Sequence, residues 1–596
     1  MNPKQYYEQR LNALLAHEDE LLQRKKMLAY FRFAGIVAII VVFYFSGSLG
    51  WPVTIPLAAL LIAVFIKIVY KDLINKEALA HNALLLTINK SEQLALQHEY
   101  FQFNDGSKHI AKDHLYANDI DIFGHASLFQ FCNRTASEMG SQQLAQWLKA
   151  PATTHVINER QAAIKELAEK ITWTQELRGL GERSAISLHT RNNLHQWMQE
   201  PPSFSQFKHW HWLRYFLPII STSVTIATVF GYLPINIFYW TMLLMAAVAL
   251  PLEKKIGLVH TRLSRMASQL QSLSASIDSI ENEKFTSPLL QQMQGGFQHS
   301  SRKASLQLAA LNKILDRLDL RFNLLMVFPI NLLFLWNLQQ VLALDKWKKE
   351  NDEQLVNWFD LLGNFEALIS LATIHFNNPG WAFPRLLEKH FYIEATNMGH
   401  PLIPIGKRVN NDIMIKKQPA VLLVTGSNMA GKSTYLRSVG INVVLAMAGA
   451  PVCADTFALS PVQLLSSMRI ADNLEESTST FYAELKKLKT IIEKVNAEEK
   501  VFILLDEILR GTNSLDRHTG SKALIKQLIE KDACAIIATH DVELAALEQV
   551  HSPYIHNVHF DVQVENEELF FDYKLKEGVC TSMNASILMK KIGIDL

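Results

Sequence analysis

From residue 33 to residue 66 the chain contains no Asp, Glu, Lys or Arg, and the same holds from residue 215 to residue 252. Runs of this length leave few folding options. A water-facing helix needs charge for solvation, whereas about 20 apolar residues at about 1.5 Å rise cross about 30 Å of hydrocarbon. Each run is also broken near its middle, at Gly47, Gly50, Pro52 and Pro56 in the first and at Gly231 and Pro234 in the second. The pattern predicts two tight helical hairpins and hence four transmembrane helices. Arg24, Lys25, Lys26 and Arg32 precede the first hairpin and Lys71 and Lys76 follow it; Lys208, Arg214, Lys254 and Lys255 bracket the second. With basic flanks and uncharged turns, both hairpins are expected to start and end in the cytoplasm. The expected location is the cell inner membrane, with the soluble domains facing the cytoplasm.

A third charge-free run, residues 322–344, contains Asn323, Asn331, Asn337, Gln339, Gln340 and a central Pro329. Side-chain amides are expensive in lipid, and a fifth span would carry everything after it to the opposite side. This run is therefore expected to be a buried or membrane-grazing helix.

With 58 Lys+Arg against 57 Asp+Glu the net charge is only +1, which excludes the whole-chain electrostatic footprint of a dedicated nucleic-acid binder. Arg302, Lys303, Lys346, Lys348 and Lys349 are too few to argue for one locally and read as solvated or membrane-flanking charge. Cys132, Cys453, Cys534 and Cys580 lie far apart without metal-ligand spacing and read as reduced core thiols. A charged, helix-patterned segment precedes the first apolar run, so a cleaved secretory signal is not expected.

Leu263, Met266, Leu270, Leu273, Ile277 and Ile280 recur at alternating steps of three and four, and Leu308, Leu311, Leu315 and Leu318 resume the pattern after Pro288 and Gly295-Gly296. This spacing predicts two long helices folded back on each other. Beyond residue 391 short β-rich runs alternate with helical stretches, the pattern of a parallel sheet flanked by helices.

The first of these runs, Val421-Leu-Leu-Val-Thr, leads into Gly426-Ser427-Asn428-Met429-Ala430-Gly431-Lys432-Ser433-Thr434 and then a helix. Strand, glycine loop and helix in that order form a P-loop. The glycines let backbone N–H groups face phosphates at a helix N-terminus, Lys432 reaches the β- and γ-phosphates, and Ser433 ligates Mg²⁺. A second strand ends in Asp506-Glu507: Asp506 completes the Mg²⁺ site and Glu507 activates the attacking water. A third delivers His540, placed to sense the γ-phosphate. The cofactors implied are ATP and Mg²⁺, with Glu507, Lys432 and His540 as the catalytic set.

A transporter-type ATP-binding cassette needs a Leu-Ser-Gly-Gly-Gln-like signature before the second acidic strand, and none occurs. In its place stands Asp472-Asn-Leu-Glu-Glu-Ser-Thr-Ser479-Thr480-Phe481, which resembles the Ser-Thr-Phe segment of the MutS family. Thr425-Gly-Ser-Asn-Met-Ala-Gly-Lys-Ser-Thr434 and Asp506-Glu-Ile-Leu-Arg510-Gly-Thr512 also resemble that family, as do His400-Pro-Leu402, Asn410-Asn-Asp412 and Asp121-Ile-Phe-Gly-His with Asn133-Arg-Thr. The resemblance covers roughly residues 115–200 and 360–596. It implies that Asn428 contacts nucleotide and that Ser479 acts in trans on a partner's γ-phosphate, making a homodimer with two composite sites. Ala430 and Leu509 stand where the family usually has glycine, and Ser477 where a Gly often precedes the Ser-Thr-Phe. The family's mismatch-reading and connector domains have no counterpart, so mismatch recognition is not expected.

The expected fold is multidomain: an α-helical core and lever with four transmembrane helices, plus a C-terminal α/β P-loop domain of the ABC type. Its parts are an N-terminal cytoplasmic helix (1–32), hairpin one (33–70), a MutS-like helical core (77–213), hairpin two (214–252), lever helices (256–365) and the ATPase domain (366–596). The function implied is a membrane-tethered MutS-family ATPase, with DNA as ligand and mismatch repair as process by resemblance alone. The alternative is a transporter-like or membrane-remodelling ATPase of the ABC type without a nucleic-acid ligand.

Overall fold

The computed structural model describes residues 2–45, 50–111, 113–204, 207, 209–299, 302–320, 324–352, 354–389, 391–416, 420–427, 429–469, 480–565 and 568–580. Two long helices come first, α1 (Pro3–Tyr44) and α2 (Trp51–Leu96). On α1 the side chains of Tyr7, Leu14, Leu21 and Leu28 are buried at steps of seven. On α2 Asn75, Asn82 and Asn89 are buried at the same step. Asn75 Nδ2 donates to Leu21 O and Asn82 Nδ2 to Leu14 O, each at 3.0 Å, and Arg32 pairs with Asp72. The two helices thus form an antiparallel coiled coil whose register is fixed by asparagines rather than by leucine alone. Sequence reasoning saw helix in the N-terminal segment but not this seam. At the far end of the pair the apolar run leaves Phe33, Ile40, Phe43, Leu60 and Ile66 exposed.

The near end is anchored by a buried polar network. Tyr7 Oη donates to Asn377 Oδ1 at 2.8 Å, and Asn377 Nδ2 to Glu92 Oε2 at 3.0 Å. Glu92 also receives Arg134 through two bonds of 2.5 and 3.1 Å, and Arg178 at 3.1 Å. A buried carboxylate holds its charge here because two guanidiniums face it; they keep its pKa below the ordinary value although burial alone would raise it.

The second hairpin is α3 (Trp210–Val229) and α4 (Ile235–Ser264). Four helices, Pro3–Tyr44, Pro52–Leu96, Trp212–Val229 and Ile235–Glu253, are long and apolar enough to cross a membrane. Beyond α4, the helix Ala267–Asn282 packs against α5 (Ala304–Asp319) through buried Leu270, Leu273, Ile277 and Ile280 facing Leu308, Leu311, Leu315 and Leu318. The heptad seam therefore joins two antiparallel helices, as its spacing predicts. It is not carried by one helix throughout, since the backbone is interrupted at Arg265 and Met266. At the return bend the chain packs closely on Leu361: a Cβ at Gly296 would lie 2.6 Å from Leu361 Cδ1 and would have to push that side chain aside.

The third charge-free run divides into α6 (Leu324–Phe334) and α7 (Trp336–Asn351), separated by Leu335 in the left-handed region at φ 48°. Helix α6 lies against α3 and α4. Three of the amides find partners: Asn331 and Asn337 donate to Glu253 Oε1 at 2.9 and 2.6 Å, and Gln339 to Arg214 O at 2.8 Å; Gln340 Oε1 has no partner among the described residues, and Asn323 lies outside them. Next comes α8 (Leu355–Asn377), which packs closely on the helix Glu138–Lys149 because Gly140 and Gly363 leave room.

The C-terminal region holds a six-stranded sheet built from β1 (Ala420–Gly426), β2 (Gln463–Ser467), β3 (Val501–Asp506), β4 (Cys534–Ala538), β5 (Ile555–Phe560) and β6 (Leu575–Glu577). Their order is β6-β5-β1-β4-β3-β2, all parallel except β6. Strands β1, β3 and β4 are short runs of Val, Leu, Ile and Ala, as expected for strands covered on both faces. A second sheet, ordered Arg385–Leu386, Thr456–Leu459, Ile393–Met398, Asn411–Ile415, accompanies it. All four cysteines are buried and none is in a disulfide, in line with the sequence reading.

Candidate functional site

Strand register builds the site. Ala538 of β4 is level with Val424 of β1 on one side and with Asp506 of β3 on the other. The segments leaving the C-terminal ends of these three strands therefore converge. They are the glycine loop before α9 (Lys432–Ala448), the Asp506-Glu507 pair, and the turn carrying His540.

Gly426 leaves β1 at φ 148°, and a Cβ there would sit 2.8 Å from Phe560 O, so only glycine permits this exit. Gly431 caps α9 at φ 107°. Lys432, only 5% exposed, folds back so that Nζ donates to Gly426 O and Ser427 O, each at 2.9 Å. Burial lowers its pKa, opposed by the nearby carboxylates of Glu507 and Asp506. The amide ends of α9 and this ammonium together favour an anion at the loop.

Glu507 adopts φ 50°, with its N–H donating to Ala538 O at 2.9 Å. Its Oε1 lies 2.6 Å from His540 Nε2 and its Oε2 3.0 Å from Arg510 Nε. The hydrogen bond from His540 is the main cause holding its carboxyl below the ordinary range. A proton on Nε2 of His540 serves Glu507, so the 3.3 Å approach of Lys432 Nζ to the same atom is a contact without a bond. Asp506 is buried, and its Oδ1 has no hydrogen-bond partner among the described residues. This orphaned carboxylate oxygen, close enough to Lys432 to act on its charge and with the Ser433 hydroxyl next in the chain, is a donor set that suits a hard cation such as Mg²⁺.

Lys432, Asp506, Glu507 and His540, chosen from sequence, are thus brought together, with Gly426, Ser427, Met429, Ala430, Gly431, Ser433 and Thr434 forming the loop and first helical turn beside them. Ala430 is buried within the loop. Asn428 and Ser479 lie outside the described residues. Leu509, at a position where glycine was expected, carries that glycine's conformation, φ 61°.

Sequence reasoning missed one wall. A cavity of about 360 Å³ beside the loop is lined by Ile403, Lys407, Asn411, Phe560 and Tyr573 together with Gly431, Lys432 and Glu507. Tyr573 lies against Gly431, and Asn411 holds it in place, donating to Tyr573 O at 3.0 Å while accepting from Leu575 N at 2.8 Å. The Asn410-Asn-Asp412 motif pointed to this region. Nothing in the sequence pointed to Tyr573, which arrives from 162 residues away on the antiparallel return into β6.

The helical core touches this region through residues 115–121. Buried Asp119 accepts from Ser466 Oγ at 2.6 Å, from Met468 N and Arg469 N at 3.2 Å, and from Lys487 Nζ at 2.5 Å on α10 (Thr480–Asn496). Asp121 pairs with Arg469 at 2.5 Å and with Arg437 of α9 at 3.6 Å. On α10 itself, Glu484 Oε1 accepts from Leu509 N at 2.5 Å.

The basic residues considered from sequence are committed elsewhere. Arg302 pairs with Glu350, and Lys303 Nζ donates to Asn282. Lys348 is not a solvated charge, as read from sequence, but is buried, with Nζ donating to the carbonyls of Trp197 and Glu200.

These features define a class, a helical body carrying a mixed sheet with an anion-binding loop at its strand ends. Residues 112–372 match the sequence model of MutS domain III, and residues 422–592 that of MutS domain V. The chain belongs to the MutS family. It is 34% identical over 247 residues to the DNA mismatch repair protein MSH3 of Candida glabrata, covering 39% of this chain and 24% of that protein. It is 30% identical over 224 residues to the DNA mismatch repair protein MutS of Lactobacillus johnsonii, covering 36% and 26%. To MutS of Brevibacillus brevis it is 34% identical over 232 residues, covering 38% and 26%. The chain thus spans about a quarter of the length of these curated relatives.

Proposed function

We propose that the chain is a membrane-tethered, Mg²⁺-dependent ATPase that works as a homodimer, with its soluble domains in the cytoplasm. The observation that carries this reading is the convergence of Lys432, Asp506, Glu507 and His540 at three level strand ends. Lys432 binds the β- and γ-phosphates by exchanging its loop carbonyls for phosphate oxygens. Glu507, deprotonated at neutral pH and aimed by His540 and Arg510, orients water for in-line attack. Ser433 and Asp506 hold Mg²⁺, which supplies charge neutralisation on the phosphates. Tyr573 and Ile403 offer apolar surface to the base. Ser479 completes the partner's site.

The four apolar helices serve as tethers. A transporter-like role is disfavoured because Ser221, Thr225 and Thr228 of the second hairpin spend their hydroxyls within the protein. Ser221 Oγ donates to Leu333 O at 2.6 Å, and Thr225 and Thr228 donate to carbonyls one turn back in their own helix. DNA as ligand rests on the family and on the printed names of the relatives; the paired basic residues add nothing to it.

The reading is tested by mixing two inactive variants, Lys432→Met and Ser479→Ala. A mixed dimer keeps one intact composite site, so random pairing should restore about a quarter of wild-type phosphate release. No restoration on mixing refutes the shared site. A gel-shift series on duplex, mismatched and branched DNA at stated salt tests the ligand separately.

A further inference from the structure

We infer that α6 and the first turn of α7 form a re-entrant segment that enters the cytoplasmic leaflet beside the second hairpin, reaches about half its depth and returns on the same side. The inference rests on the membrane reading of that hairpin given above.

Three contacts give the depth. Ser221, which hydrogen-bonds Leu333 O at 2.6 Å, lies nine residues beyond Trp212 and eight before Val229 in the apolar stretch Trp212–Val229. At about 1.5 Å per residue that is about 13 Å along a stretch of about 27 Å, close to its middle. Gln339 donates to Arg214 O at the foot of the same stretch. Leu333 to Gln339 is a descent of about 9 Å in helix, close to the about 10 Å from Ser221 to Arg214, so α7 leaves along α3 toward the foot. On the other side Asn331 and Asn337 meet Glu253, the last residue of the stretch Ile235–Glu253.

The segment is also built for such a turn. Leu335 in the left-handed region breaks the helix, Pro329 removes a backbone N–H donor inside α6, and an irregular backbone at membrane depth is tolerated where protein covers it. Leu335 is buried, its N–H bonds Asn331 O at 2.9 Å, and Ser221 satisfies Leu333 O. Asn331, Asn337 and Gln339, three of the amides that argue against a span, face protein. Among the described side chains of α6, Phe328 is 57% and Phe334 41% exposed, and the helices it packs against expose Phe216 and Ile219 on α3 and Leu250 on α4. Lipid acyl chains are the occupant that suits these apolar side chains, because α6 packs directly against a hairpin of membrane length.

Nitroxide labels on single introduced cysteines test this in full-length protein in phosphatidylcholine/phosphatidylglycerol nanodiscs, the buried native cysteines being controlled by unmodified protein. Phe334→Cys and Phe328→Cys probe the segment, Leu243→Cys the hairpin, and Lys346→Cys water. The ratio of oxygen to nickel-chelate collision should be several-fold higher at 334, 328 and 243 than at 346. A water-like ratio at 334 and 328 with a lipid-like ratio at 243 overturns the re-entrant segment alone. A water-like ratio at 243 overturns the membrane reading beneath it. Protection from both reagents at 334 and 328 means that a second polypeptide covers the face, and also overturns the inference.

Discussion

Replacing Glu92 by glutamine should be among the most damaging single substitutions outside the proposed nucleotide site. The carboxylate and the Arg134 guanidinium are each 2% exposed, and their two hydrogen bonds measure 2.5 and 3.1 Å. Arg178 and Asn377 add bonds of 3.1 and 3.0 Å to the same group. Glutamine keeps the shape but removes the charge. Arg178 retains Glu182 at 2.7 Å, whereas Arg134 is left with neutral acceptors alone, the glutamine oxygen and the carbonyls of Phe131 and Asn133. Leaving one member of a buried pair unpartnered costs about 3 to 5 kcal/mol, while replacing both by apolar residues is often near neutral. Glu92→Gln, Glu92→Met and Arg134→Met should each lower the unfolding midpoint strongly, and Glu92→Met/Arg134→Met should recover most of the loss of the two Met variants. The assay is a double-mutant cycle of unfolding midpoints in one detergent. A single-variant cost below about 1 kcal/mol, or additive losses in the double variant, refutes the reasoning.

Three further outcomes follow from named geometry. Burial lifts the Glu366 carboxyl to about 7, from an ordinary 4.5, against hydrogen bonds from Ser137 N and Oγ. A carboxyl raised on folding contributes fully below its unfolded value and loses that contribution as pH climbs through 7, a ceiling of about 3 kcal/mol. Glu366→Gln should flatten stability between about pH 5 and 8, and an unchanged slope in thermal scans contradicts this. Leu509 at φ 61° carries about 1 kcal/mol of strain, so Leu509→Val should unfold at lower temperature than Leu509→Gly; the reverse order speaks against strain there. Gly426→Ala, whose Cβ would meet Phe560 O at 2.8 Å, should abolish nucleotide retention in filter binding while leaving helix content unchanged.

The site was legible where chemistry follows directly from chain order. Asp506 ends an apolar strand, Glu507 and His540 follow one within two residues, and Lys432 closes the glycine loop that leaves β1; parallel pairing of β1, β4 and β3 puts those strand ends side by side. The wall containing Tyr573 was not legible, because an antiparallel return strand brings it back and no local pattern encodes that distance. Likewise the coiled coil of α1 and α2 hides behind asparagines: Asn75 and Asn82 look like solvent-facing residues until the carbonyls of Leu21 and Leu14 are known to receive them. The amides of the third charge-free run argued against lipid for a sound reason, the desolvation of unpaired polar groups. Glu253 and Arg214 remove that reason by pairing with them, and a sequence read one segment at a time cannot supply such partners.

The account stands or falls on nucleotide held at Lys432 and cleaved by water aligned at Glu507. The direct measurement compares labelled ATP retention and phosphate release in purified wild-type protein and in Glu507→Gln, with Mg²⁺ present. Both should retain nucleotide, and the variant should lose about two to four orders of magnitude in release. Failure of the wild type to retain ATP, or equal release from the two proteins, contradicts the assignment.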